Sequence, residues 1–193
     1  MIEVELREGL SGGPARPPDI AAAAEAAGLL EVAYAHHDSP LGRLCLAATR
    51  RGLITVAYGD PLEVLAERVS PRILHAPARL EEARRELEAF FTGRLRAFAT
   101  PLDLTLTTGF QREVLRATRA IPFGAVASYA EVAAAAGRPR AFRAAGTALG
   151  RNPLPIVIPC HRVLRAGGAL GQYTGGAWRK QALLELEGVE LRP

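Results

Sequence analysis

Cys160 and His161 stand side by side in the stretch Ile156-Val157-Ile158-Pro159-Cys160-His161-Arg162-Val163. An apolar run stops at a proline, and the next two side chains are a thiol and an imidazole. Sulfur is a strong nucleophile only as thiolate, and a neighbouring base is a common means of making one. The chain has two cysteines and four histidines, so the adjacency joins two scarce groups. The chemistry on offer is attack by sulfur. The plainer alternative is a small buried cysteine beside a capping histidine, and the dipeptide alone does not choose between them.

The surrounding charge narrows the choice of partner. Between Glu131 and Glu185 there is no acidic residue, while Arg138, Arg140, Arg143, Arg151, Arg162, Arg165, Arg179 and Lys180 all fall in that interval. The first half has mixed signs, with Glu81, Glu82, Glu86 and Glu88 beside Arg84 and Arg85. A basic segment without acids around a candidate nucleophile points to a polyanion, against the alternative of an ordinary solvated basic surface. Lys180 is the only lysine among abundant Arg and Ala, which reads as compositional bias.

The elements that must carry these groups fall into two halves. Residues 1–28 read as an extension: Gly9, Gly12, Gly13, Pro14, Pro17 and Pro18 punctuate a linker, and Asp19 is placed to cap a short Ala-rich helix over 20–27. Strand-like segments follow over 31–35, 41–49 and 53–58, the first two separated by His37-Asp38-Ser39-Pro40, the last opening at the Arg51-Gly52 turn. Helical spacing covers 61–69 and 78–91, and 102–106 reads as a further short strand. The second half is helical. One helix opens at Thr108 or Gly109 and stops at Ile121-Pro122-Phe123-Gly124; the next is capped by Ser128 with Glu131 three residues on. After Gly137, Arg138-Pro139 restarts a third through Asn152-Pro153, with proline in its first turn. Two helices joined by a short Gly-containing turn make a helix-turn-helix. The second carries Ala141, Ala144, Ala145, Gly146 and Ala148, small side chains that let a backbone approach a partner closely, with Arg140 and Arg143 projecting.

At 193 residues the chain can hold one large domain or two small ones. Its net charge of +4 and near-half apolar content are ordinary for a globular protein. No apolar run approaches a membrane span and the N-terminus is acidic rather than signal-like, so the expectation is a cytoplasmic protein without membrane contact. Cys45 and Cys160 cannot build a disulfide framework or a thiolate-rich zinc site, and a reducing compartment suits an unpaired thiol. Cys45 reads as core, and His36, His37 and His75 as surface or satisfied core groups.

The second half resembles one family closely. Tyr129, Arg143, Asn152-Pro153, Pro159-Cys160-His161-Arg162-Val163, Gly171-Gln172-Tyr173-Thr174-Gly175-Gly176, Arg179-Lys180 and Glu187-Gly188 occur in the order and spacing of the O6-alkylguanine-DNA alkyltransferases, also called methylated-DNA–protein-cysteine methyltransferases. The match is close over 107–188 and looser over 31–106. It implies an α/β fold: an N-terminal RNase H-like domain over 29–104 and, over 105–193, a C-terminal helical domain with a winged helix-turn-helix-like DNA-binding motif.

The resemblance also assigns roles. Cys160 is the nucleophile and keeps the alkyl group as a thioether. His161 takes the thiol proton through a water, and Glu187 holds His161 in the right tautomer. Tyr129 donates toward guanine N3 as charge develops, and Asn152 braces the segment carrying Cys160. A base inside a duplex must be flipped out to reach such a pocket. Arg143 fills the vacated space, on a helix in the minor groove that also presents Ala141, Ala144, Gly146 and Arg151 to DNA. Val163, Tyr173, Thr174 and Gly175 form the guanine pocket, Thr174 standing where many relatives have serine. No metal or cofactor is implied, the partner is double-stranded DNA carrying alkylated guanine, and the expected state is a monomer. Two other classes compete: a non-catalytic binder of alkylated DNA, which the presence of Cys160 disfavours, and an unrelated Cys-His hydrolase, which leaves the helix-turn-helix and basic segment without purpose.

Overall fold

The computed structural model describes residues 20–190, so the linker glycines and prolines and the Asp19 cap lie outside the described residues. Helix α1 (Ile20–Ala26) sets Ala21 and Ala24 against Leu30, Ala33 and Ala76. A four-stranded sheet follows, in the order β3-β2-β1-β4: β1 (Val32–Ser39), β2 (Gly42–Thr49), β3 (Gly52–Ala57) and β4 (Ile73–His75). β1–β2 and β2–β3 are antiparallel and β1–β4 is parallel.

β1 runs on through His37-Asp38-Ser39, where the sequence suggested a break. Only Pro40 and Leu41 lie between the paired Ser39 and Gly42, and the Ser39 hydroxyl closes this hairpin by donating to the Gly42 carbonyl at 2.6 Å. At the next hairpin Gly52 has φ 138°, and a Cβ there would lie 2.3 Å from the Pro101 carbonyl oxygen, so only glycine lets the two backbones meet. Alternation along β2 divides its faces. Leu44, Leu46 and Ala48 join the main core, whereas Ala47 packs with Val32, Ile54 and Leu65 of α2 (Leu62–Arg68).

Segment 102–106 is not the expected strand; it makes one bridge, Leu53 to Leu102. Asp103 diverts it. Its carboxylate accepts from the Thr105 amide, the Thr105 hydroxyl and the Thr49 hydroxyl, a side-chain turn that replaces ladder pairing. Helix α3 (Glu81–Phe91), entered through a 3-10 turn over Pro77–Leu80, buries Ala83, Leu87 and Phe90.

Four helices build the second half: α4 (Gly109–Arg119), α5 (Tyr129–Ala135), α6 (Phe142–Gly150) and α7 (Ala177–Leu186). Thr108 with Gln111 and Ser128 with Glu131 form capping boxes at α4 and α5. α6 starts later than the sequence suggested. Arg138-Pro139-Arg140-Ala141 closes as a turn, the Ala141 amide donating to the Arg138 carbonyl at 2.9 Å, so the proline pre-sets a turn rather than a helix start. Buried Gln111 ties α4 to the end of α6 by donating to the Ala148 and Arg151 carbonyls. A short parallel pair, β5 (Ala127–Ser128) with β6 (Val163–Leu164), joins the start of α5 to the segment after Cys160.

One apolar core runs through both halves, from Leu44, Leu46 and Val56 to Val114, Ala145, Leu154, Ile158 and Leu183. The sheet edge also touches the turn that leads toward Cys160. The Val56 amide and Thr55 hydroxyl both donate to the Pro153 carbonyl, at 2.9 Å each. No helix among the described residues is long and apolar enough to cross a membrane.

Candidate active site

Cys160 begins a 3-10 turn, Cys160–Arg162, that follows a strained approach. Ile156 has φ 74°, a genuine outlier for a β-branched residue. Asn152 over-determines this turn: its amide nitrogen donates to the Ile158 carbonyl at 2.9 Å and to Cys160 Sγ at 3.2 Å, while its oxygen accepts from the Leu154 amide at 3.0 Å. Three bonds from one buried side chain thus fix where the sulfur sits.

Behind the sulfur lies a buried charge network. His161 is fully buried, and its Nε2 lies 2.9 Å from Glu187 Oε1. Glu187 also accepts from Arg162 Nε at 2.9 Å, from Arg162 Nη2 at 2.8 Å and from the Gly124 amide at 3.2 Å. Burial opposes the charge on Glu187, but the hydrogen bonds and charges of His161 and Arg162 win and hold its carboxyl below the ordinary range. An ionised Glu187 makes Nε2 of His161 the protonated nitrogen, so Nδ1 carries the lone pair; Nδ1 has no protein hydrogen-bond partner. Burial lowers the His161 pKa, against the pull of Glu187, and leaves the ring neutral at pH 7.

The thiol itself is not spontaneously ionised. Burial pushes Cys160 up to about 11, against the Asn152 hydrogen bond and the charge of Lys180. Lys180 is fully buried, donates to the Val163 carbonyl, and is brought down to about 8 by burial. A protonated thiol and a neutral imidazole with a free lone pair, on consecutive residues of one turn, suit proton removal at the moment of attack.

A cavity of about 620 Å³ gives access to this sulfur. Of the sequence-derived site residues, Cys160, Tyr129, Arg143, Gly146, Arg151 and Tyr173 line it together. Asn152, His161 and Glu187 lie behind, buried. Ala141 and Ala144 do not line the cavity; Ala144 is exposed on the outer face of α6 and Ala141 is half-buried before its first turn. Val163, Thr174 and Gly175 do not line it either. Val163 is fully buried in β6, and Thr174 is exposed, its hydroxyl donating to the Gly150 carbonyl at 3.2 Å. Gly175 is buried where a Cβ would meet Tyr58 Cε2 at 2.5 Å. Burial raises the Tyr129 hydroxyl pKa, so it stays a donor at neutral pH.

The sequence counted Arg162 and Lys180 in the basic segment that faces a polyanion, but both are buried, Arg162 on Glu187 and Lys180 on the Val163 carbonyl; Tyr58 and Phe142 were given no role. Nothing local marks these four residues, whose meaning lies in partners distant in the chain. Among the described residues no group of three or more His, Cys, Asp and Glu side chains is placed to hold a metal ion. Cys45 is buried in β2, and burial raises its thiol to about 11.

The chain is similar to known proteins over most of its length. The 6-O-methylguanine DNA methyltransferase ribonuclease-like domain matches residues 32–104, and the DNA binding domain of the same family matches 109–189. A methylated-DNA–protein-cysteine methyltransferase of Methanosarcina barkeri is 38% identical over 161 residues, covering 80% of this chain and 96% of that one. Its counterpart from Mycobacterium tuberculosis is 42% identical over 157 residues, covering 80% and 91%. The crystal structure of Mycobacterium tuberculosis OGT in complex with DNA superimposes with a TM-score of 0.72 at 40% identity, covering 81% of this chain and 93% of that one. With an N-terminal ribonuclease-like α/β unit, a C-terminal helical DNA-binding unit and relatives matched over nearly their whole length, the chain belongs to the 6-O-methylguanine DNA methyltransferase family.

Proposed function

We propose that this chain repairs O6-alkylated guanine in DNA by moving the alkyl group onto Cys160, once per molecule. The observation that carries the reading is the shared cavity: the buried sulfur, Tyr129 and Arg143 face one space, with the His161–Glu187 pair behind the sulfur. In the reaction a bond forms between Cys160 Sγ and the alkyl carbon as that carbon's bond to O6 breaks. The thiol proton passes to His161 Nδ1 through a water, Tyr129 donates to guanine N3 as charge develops there, and the proton held by His161 is returned through solvent, so that the guanine ends protonated at N1, Tyr129 as the phenol and His161 neutral. Alkylated protein and unmodified guanine are the products, with no cofactor in the balance.

The DNA duplex meets α6 at its minor groove. Arg143 fills the gap in the stack left by the flipped base, and phosphate contacts from the exposed arginines of the acid-free segment, Arg138, Arg140, Arg151 and Arg165, supply affinity without reading sequence. Arg151, on the cavity rim, is one such contact. The protein acts as a monomer, in a reducing cytoplasm where an unpaired thiol survives.

Intact mass after incubation with methylated duplex tests this. Repair adds one methyl to the protein and stops at one equivalent however great the excess of DNA, because a thioether offers no leaving group at neutral pH. Cys160→Ala should take up no methyl while still binding DNA. Methyl transfer in that variant, with the label on Cys45, would overturn the assignment. Binding without any mass change would favour a damage binder, and turnover beyond one equivalent would favour a hydrolase-like enzyme.

A further inference from the structure

We propose that Phe142 is a second side chain that enters the DNA, an aromatic wedge that stacks on a base beside the one flipped out. The proposal rests on the reading of α6 as the helix that meets the minor groove. Several large apolar side chains are left exposed among the described residues, including Ile20, Leu29, Val126 and Trp178, but Phe142 is the one of them that lines the cavity holding Cys160. It is 46% exposed and belongs to none of the apolar clusters that build the core, so its ring is not serving the fold.

Its surroundings identify the partner. Phe142 opens α6 and directly precedes Arg143, whose guanidinium carbon lies 5.8 Å from the ring centroid. The rest of the exposed face of α6 is Ala144, Thr147 and Gly150, all short, so the ring and the guanidinium alone stand out from it. No acidic residue lies between 131 and 185. Arg138 pairs with Glu113 and Arg162 with Glu187, but Arg143, Arg151 and Arg165, which line the same cavity as Phe142, have no ion-pair partner among the described residues. An apolar protein partner would have to cover these three charges, whereas a nucleic acid neutralises them and offers base faces for the ring. Minor-groove binders insert apolar side chains between base steps, partly unstacking them and opening the groove. A ring placed next to the flipping arginine would lower the cost of extrusion in the same way, by replacing base–base stacking with base–ring stacking.

Two measurements test the wedge. The first is binding to methylated duplex as a function of salt, made in a Cys160→Ser background so that no transfer occurs. Phe142→Ala should bind about tenfold more weakly with an unchanged salt slope, since a stacking contact rather than a phosphate contact is lost. Phe142→Trp should restore affinity and Phe142→Leu should not. The second, with Cys160 intact, compares transfer from duplex with transfer from free O6-benzylguanine; Phe142→Ala should lower the ratio of the two rates about tenfold. Wild-type binding by Phe142→Ala, restoration by leucine as well as by tryptophan, or equal losses on duplex and free base would each overturn the wedge. Loss of binding in a protein whose unmodified form transfers no methyl would sink the repair reading and leave the wedge standing.

Discussion

The hydroxyls of Tyr58 and Tyr173 lie 3.2 Å apart across 115 residues of chain, so the end of β3 touches the wall of the cavity. Arg179 reinforces the join. Its guanidinium carbon is 4.4 Å from the ring centroids of both Tyr58 and Trp178, and it donates to the Leu41 carbonyl at 2.8 Å and the Gly175 carbonyl at 2.7 Å. The ribonuclease-like unit thereby braces the loop that carries Tyr173. Tyr58→Phe keeps the ring under Arg179 and removes only the hydroxyl contact, leaving the Tyr173 hydroxyl without that partner. The expected cost is about 1 kcal/mol of stability, together with slower transfer to Cys160. Denaturant midpoints and single-turnover rates check this; a variant identical to wild type in both would show that the two hydroxyls are neighbours without consequence.

Arg143→Ala should slow transfer from duplex roughly 10- to 100-fold more than transfer from free O6-benzylguanine. Extruding a base costs a few kcal/mol of stacking and pairing, and a free base has no such cost. Equal losses on both substrates would make Arg143 a support of the cavity rather than of flipping.

Glu187→Gln should be among the most damaging single changes at the site. Arg162 would keep its charge in a buried position without a counter-charge, the amide offering one acceptor oxygen where the carboxylate offered two, and His161 would lose the charge that fixes its tautomer. Removing one side of such a pair costs roughly 3–5 kcal/mol. Urea unfolding measures it, and a loss below about 1 kcal/mol would mean that the network relaxes or admits solvent.

What could be read in the sequence was what is local. The Ser128–Glu131 capping box needs only four consecutive residues, and it starts α5 where expected, setting Tyr129 in its first turn. The pairing of Cys160 with His161 is likewise contiguous. Misreadings arose where a distant or side-chain partner outbid the local pattern. Asp103 took the hydrogen bonds that a strand over 102–106 needed, and three-residue β4 is too short to show a period. Pro139 fitted a helix start as well as a turn, and only the Ala141–Arg138 bond decides. Lys180 looked like a compositional remnant, yet it is wholly buried against the Val163 carbonyl. The meaning of a buried charge lies in its partner, and Arg162 meets its own 25 residues away.

Acid should weaken both the reaction and the fold, for reasons that share one sign. Burial holds the folded pKa of His161 below its ordinary 6.5, so between those two values the unfolded chain binds the proton and the folded one does not. The stability conferred by a neutral His161 is complete above 6.5 and is lost as pH falls through the folded value. Glu187 behaves alike at lower pH. Despite burial, its hydrogen bonds from His161 and Arg162 hold its folded pKa below the ordinary 4.5, and its contribution is present above that value and lost as pH falls through the folded one. Denaturant midpoints should therefore decline on going from pH 7 to 5 and decline further below 4.5. The transfer rate from free O6-benzylguanine should follow the deprotonated fraction of His161: level near neutrality, with an acid limb centred below 6.5. An acid limb centred above neutral pH would mean that Glu187 outweighs burial and that the imidazole rests as a cation at pH 7. In that case it could not take the proton of a thiol that burial keeps protonated, and another group would have to do so.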